Sequence, residues 1–307
     1  MQFIYKLILN RNSILVFAVI LGLVAGDFAS IFQPFSFFVL AVTMSFSMTG
    51  IRMQSLLNPK AMLGPMLLGA FLNYAVFGLV VISLAYFVMP TENLFYGFVV
   101  IAAAPPGVAI IPFSYILKGD VEYSIAGVLG AFLASVVVAP LFISLFANHT
   151  DVSSYSLFIL MVKLVLIPLV ISRFMLYKPL FRYIEPVRGK VVDWGFAVLI
   201  FIAVGMNRQV FFSAPTILLL VGGVLLTVTF GLGTIYSLIA KRMGIQRPRA
   251  TTQTMLATIK STGFSVFTAL TLFGKEAAIP SAVMAVVVLL YLIFLSIKSS
   301  KLKMTVS

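Results

Sequence analysis

The sequence predicts an all-α polytopic membrane protein, and three observations carry that expectation. Of its 307 residues 62% are hydrophobic and 9% charged, where soluble domains run at about 45–50% apolar and about 25% charged. The apolar residues gather into ten runs set apart by polar or Gly/Pro breaks, and about 20 helical residues suffice to cross a bilayer. With those runs taken as spans, every Lys and Arg falls on one face except Arg208 and Lys275, on the other, and Lys163 and Lys260, within helices. An even number of crossings and the positive-inside rule then put both termini in the cytoplasm, at a cell (inner) membrane.

The expected spans lie at about 13–31, 34–52, 61–89, 93–118, 121–147, 153–176, 190–210, 215–240, 249–273 and 277–298. Lys6, Arg11 and the apolar Ile14–Ala25 give the first the look of a signal peptide. The topology of the rest requires it as a retained helix. Connections are short, so residues 1–307 form a single membrane domain with no room for a soluble one. Trp194 and the tyrosines near helix ends read as interfacial anchors.

Several function classes drop out on composition. The formal charge of +13 is a topology signal with affinity for anionic lipid, and implies no nucleic-acid partner. There is no cysteine, which removes disulfides, thiolate metal sites and cysteine nucleophiles. The single histidine, His149, sits in a polar loop with Asn148 and Thr150 that fits a glycosylation sequon. No cofactor or metal is expected. The membrane segments offer no nucleophile–base pair, so the chain is not read as an enzyme.

The ninth run carries the chemistry. Near its middle stands Lys260, followed by Ser261, Thr262 and the helix-weakening Gly263. A charge at the centre of a bilayer costs at least ~2.5–3.5 kcal/mol on insertion scales, so it ordinarily faces protein or water and marks a pathway. A snorkelling lysine is the plain alternative, but Lys260 is far from either end of its run. Thr258 is a candidate neighbour. Gln253, seven residues earlier, shares a face with Lys260 on an unbroken helix.

A second interruption lies in the fourth run, at Pro105-Pro106-Gly107 with a further Pro112 and the polar Ser114. Proline removes an amide donor and clashes with the carbonyl one turn back, at about 3 kcal/mol or more. Irregular backbone survives at membrane depth only inside protein or along a cavity. The two interruptions are related by an offset of 156, which also matches Arg52 with Arg208, Pro59 with Pro215 and Asp120 with Glu276. Five helices per half is an odd number, so the second half enters inverted, as in inverted-repeat transporters.

Asn58-Pro59-Lys60, the Pro-Pro-Gly followed by Tyr115-Ile116-Leu117-Lys118-Gly119-Asp120, and Ser261-Thr262-Gly263 resemble the bile acid:sodium symporter family. The resemblance covers nearly the whole chain in helix number, order and spacing. It implies a panel domain from helices at about 13–52 and 153–210, and a core domain from helices at about 61–147 and 215–298. It implies that broken helices four and nine cross in the core, and that organic anions move by alternating access, usually driven by sodium.

The departures from the family pattern matter most. Where the family places Ser-Asn on helix four, this chain has Ile110 and Ile111; its Ser-Thr on helix five becomes Ala131-Phe132. The family's helix-nine Glu and Gln fall at Leu256 and Lys260, and a helix-three Gln falls at Asn73. Sodium is a hard cation that takes several oxygen ligands, so no sodium cage is expected. The Lys260 ammonium is expected in its stead as a tethered cation, close to Asn73, Thr258, Ser261 and Thr262.

The leading reading is a sodium-independent secondary transporter of an organic anion, bile-acid-like or a small carboxylate. Lys260 pairs with the substrate, balances the broken helices, or cycles a proton, which makes H+ a candidate coupling ion. One alternative is a cation/proton antiporter, although no mid-helix Asp or Glu exists to serve it. Another is a non-transporting sensor or binding protein of the same fold. Asp120, Glu122, Asp193 and Glu276 are expected at helix ends as caps or solvated charges. Lys163 reads as a snorkelling residue or a second anion contact.

Overall fold

A computed structural model describes residues 11–50, 59–147 and 154–304. Lys6, Arg52, Asn58 and the Asn148-His149-Thr150 sequon lie outside the described residues. Among those described the secondary structure is helical, and the one strand-like pairing is an isolated antiparallel bridge between Pro106 and Lys260.

In chain order the helices are α1 (Arg11–Val24), α2 (Gly26–Met48, with 3-10 turns within its first ten residues), α3 (Pro59–Ala70, then π-helical Phe71–Gly78, then Leu79–Val88) and α4 (Glu92–Ala103). They continue as α5 (Ile110–Ile116), α6 (Val121–Phe146), α7 (Ser154–Met175), α8 (Lys178–Met206) and the short α9 (Arg208–Ser213). The last four are α10 (Pro215–Arg242), α11 (Arg247–Leu256), α12 (Thr262–Leu272) and α13 (Ile279–Met304). Among the described residues seven helical stretches are long and apolar enough to cross a membrane, and three shorter apolar ones lie at Ser13–Val24, Glu92–Ala103 and Thr262–Leu272. Two of the short ones, α4 and α12, are short because the chain breaks beside them.

Two boundaries differ from the sequence reading. The junction expected near residues 31–34 lies instead at Ala25, between α1 and α2. Pro34, where the second span was expected to start, sits in the first turn of a 3-10 segment, where its missing N–H leaves no hydrogen bond unmade. Residues 178–189, read as a connection, are the first part of α8. Their charges end the apolar run but not the helix: Pro179 occupies the first turn, and Lys, Arg and Glu are good helix formers.

Packing divides the helices into two sets. α8 lies along α1 and α2, and α7 along α2. In the other set α3 packs on α6, α4 on α6 and α13, α10 on α13, and α11 on α10 and α6. The sets meet where α7 touches α6 and where α8 touches α12 and α13. Large apolar side chains point outward along these helices, among them Leu67, Phe87, Val137 and Leu219. That surface suits hydrocarbon and not water, as expected for a polytopic membrane protein.

Candidate functional site

The site begins with what two prolines do to α4. Ala104 precedes Pro105 and adopts an extended conformation (φ −65°, ψ 144°), because the proline ring crowds the α region of the residue before it. The amide of Ala104 still bonds back to Val100 at 2.9 Å. Pro106 has no N–H to offer the carbonyl of Ala102, four residues earlier, so that acceptor needs another donor. Lys260 supplies it: the Nζ donates to the Ala102 carbonyl at 2.9 Å.

The same Nζ donates to the Asn73 carbonyl at 3.2 Å. It stands 5.0 Å from the ring centroid of Tyr74 and 5.2 Å from that of Phe77, within cation–π range. These three residues belong to the π-helical segment of α3, a local widening frequent at functional sites. The Asn73 side chain works beside its backbone. Its Nδ2 donates to the Ala104 carbonyl at 3.1 Å, while its buried Oδ1 has no hydrogen-bond partner among the described residues. Lys260 is 2% exposed, so these contacts replace its hydration.

The chain can deliver Lys260 there because α11 ends at Leu256 and α12 starts at Thr262. Across the gap the two broken segments pair. Gly107 N donates to the Ile259 carbonyl at 3.1 Å, and Ser261 N donates to the Pro105 carbonyl at 2.9 Å. A Cβ on Gly107 would lie 3.2 Å from the Lys260 carbonyl oxygen and 3.3 Å from the Ile259 side chain. The close backbone approach therefore favours glycine. At Gly263 a Cβ would lie 2.6 Å from the Phe196 ring of α8, so that glycine serves packing between the two helix sets.

The expected neighbours of Lys260 divide. Asn73 reaches it. Ser261 and Thr262 line, with Lys260 itself, Gly107, Phe196 and Leu289, a crevice of about 40 Å³. That is space for water and not for an organic anion. Thr258 instead donates to the Thr254 carbonyl at 2.7 Å, because its own amide has turned to Met255; its hydroxyl closes the end of α11. Gln253 is directed elsewhere as well. It accepts from the Tyr236 hydroxyl at 3.0 Å and donates to the Tyr123 hydroxyl at 2.9 Å. The face it was expected to share with Lys260 does not exist, since the helix breaks between them. Ser114 meets Thr252 at 3.3 Å and joins α5 to α11.

Ala102, Tyr74 and Phe77 were missed in the sequence. Ala102 was legible, standing four residues before Pro106 and so certain to lose its helical donor. Nothing in Phe71–Gly78 announces a π turn, and the two rings follow from it.

The positions at which the resemblance implied sodium ligands are filled with hydrocarbon. Ile110, Ile111, Ala131, Phe132 and Leu256 are all buried. Leu256 lies over Gly127, where a Cβ would approach its Cδ1 to 2.6 Å.

Asp120 and Glu276 sit at helix ends, but Asp193, expected at one, lies well inside α8, because residues 178–189 extend that helix ahead of it. Asp120 caps α6, accepting from Tyr123 N at 3.0 Å, and pairs with Arg249 at 3.4 Å. Glu276 accepts from Thr91 at 2.6 Å and Asn93 at 3.0 Å on the exposed surface.

The sequence profile of the Sodium Bile acid symporter family matches residues 37–214, more than half of the chain. The chain belongs to this family. No curated protein matches it. Membership makes the chain an integral multi-pass membrane protein of a transporter family, with the bilayer and a small-molecule substrate as its partners. The matched segment contains the α4–α5 break and stops before Lys260.

Proposed function

We propose that the protein is a sodium-independent secondary transporter of an organic anion in which the Lys260 ammonium replaces a bound cation. One observation carries the reading: the buried Nζ of Lys260 is held by the Asn73 and Ala102 carbonyls beside two aromatic rings. An ammonium beside the C-terminal carbonyls of α4 offsets the negative end of that helix, as a cation bound there would. The buried Ile110, Ile111, Ala131, Phe132 and Leu256 support the absence of sodium. Both donations of Lys260 go to backbone carbonyls, which favours a balancing role over direct pairing with the substrate.

The reading includes ten crossings in two inverted repeats, with both termini cytoplasmic in the inner membrane. The α1, α2, α7 and α8 set is the panel, and the remaining long helices form the core. The crevice between them at Ser261 and Thr262 widens when the two sets move apart, and the start of α12 then faces the anion. H+ is the candidate coupling ion.

Uptake of candidate carboxylates into proteoliposomes, with choline replacing sodium and with a pH gradient imposed, tests this. Unchanged uptake in choline is the expected result. Loss of most activity without sodium overturns the reading, and saturable binding without counterflow identifies a binding protein instead.

A further inference from the structure

A second cavity, of about 600 Å³, lies on the far side of α13 from the crossover crevice, between α10, α11 and α13. Its floor is apolar and aromatic. Tyr291 is buried there, with its ring 6.3 Å from Phe294 in a stacked arrangement. The mouth is basic: Lys241 lies in the last turn of α10, Arg247 begins α11, and Lys298 lies on α13 with its Nζ 5.9 Å from the Phe294 ring. All three are exposed, and among the described residues none has a carboxylate partner. By contrast Arg249, two residues on from Arg247, pairs with Asp120.

We infer that this cavity is a binding site for an anionic phospholipid, with the phosphate at Lys241, Arg247 and Lys298 and an acyl segment over Tyr291 and Phe294. The volume lies within the range of small-molecule sites, about 300–1,000 Å³. Three cations from three helices at one end of a membrane-spanning group form a recognition pattern for anionic headgroups. A lipid is favoured over a soluble anion by the cavity's flanks. Ile235, Leu238 and Ile239 on α10 and Ile293 and Ile297 on α13 are exposed apolar side chains, the kind of surface that hydrocarbon covers. Such a lipid clamps α11, and with it the segment that carries Lys260, against α10 and α13. The inference does not rest on the transport reading.

The test uses the full-length protein in detergent and measures binding by native mass spectrometry. The probes are dioleoyl-phosphatidylglycerol, dioleoyl-phosphatidylcholine, glycerol 3-phosphate and dodecanoate. Phosphatidylglycerol is expected to bind and to outcompete phosphatidylcholine. Combined Lys241→Gln, Arg247→Gln and Lys298→Gln is expected to weaken it by tenfold to about a hundredfold. Ser237→Trp, which fills the cavity and keeps the charges, should also remove binding, while Lys178→Gln with Lys190→Gln should not. Should Ser237→Trp fail to fold, the competition between the two lipids in the wild-type protein decides. Equal binding of the two lipids, or phosphatidylglycerol binding that survives both cavity variants, overturns the site. Binding of dodecanoate or glycerol 3-phosphate without phosphatidylglycerol overturns the choice of a lipid.

Discussion

The two chain breaks that meet at the crossover are made by different means. The break between α4 and α5 is local: Pro105 and Pro106 cannot donate, and the helix ends whatever lies around it. The break between α11 and α12 contains no proline. Thr258 to Ser261 leave the helical path because partners elsewhere reward it: the Pro105 carbonyl, the Gly107 amide and the cage around Nζ. One break is written into the backbone; the other is held by tertiary contacts and a single charge. The second break therefore depends on the first, and Lys260 links them.

The largest expected effect comes from removing that link. Lys260→Ala leaves the Ala102 carbonyl without the donor that Pro106 cannot supply, and removes a donor from the Asn73 carbonyl beside two aromatic rings. Unsatisfied buried polar groups cost roughly 2–7 kcal/mol by reference state, so we expect several degrees lost in melting temperature and at least about tenfold slower uptake. Near-wild-type uptake would make the lysine a bystander. Lys260→Arg sharpens the comparison. It keeps the charge but presents a wider planar head, and should retain part of the stability with poor transport. Lys260→Gln removes the charge without restoring the missing Glu or Ser-Asn, and should not create sodium dependence in an uptake assay.

Pro106→Ala tests the dependence of one break on the other. The new amide competes with Lys260 for the Ala102 carbonyl, and the loss is expected to be about 1–2 kcal/mol in unfolding free energy. An unchanged or raised stability would show that the breaks are independent. The smallest effect is expected at the helix ends. Asp120→Asn and Glu276→Gln should leave uptake within about twofold, because such half-exposed caps and pairs contribute roughly 0–1 kcal/mol. A hundredfold loss with normal folding would mark one of them as the proton carrier.

How much of this was readable in the sequence follows from the same contrast. The α4–α5 break was legible because proline acts on its own backbone, and the long apolar runs were legible because hydropathy is local. That Lys260 would be buried was legible too, from its distance to either end of its run. Its exact partners were not, because the receiving carbonyls belong to α3 and α4, far away in the chain. Gln253 and Thr258 were misplaced for one reason: periodicity assumes a continuous helix, and α11 stops at Leu256. Residues 178–189 were lost because charge ends an apolar run without ending a helix.

The central claim, that the ammonium of Lys260 stands where a cation would bind, is tested most directly by thermal unfolding of the purified protein. Wild type and Lys260→Ala are melted in sodium chloride and in choline chloride at equal ionic strength. The account predicts one melting temperature for wild type in both salts, and a lower one for Lys260→Ala that sodium does not restore to the wild-type value. A saturable rise in the wild-type melting temperature with sodium, or an unchanged melting temperature for Lys260→Ala, would contradict it.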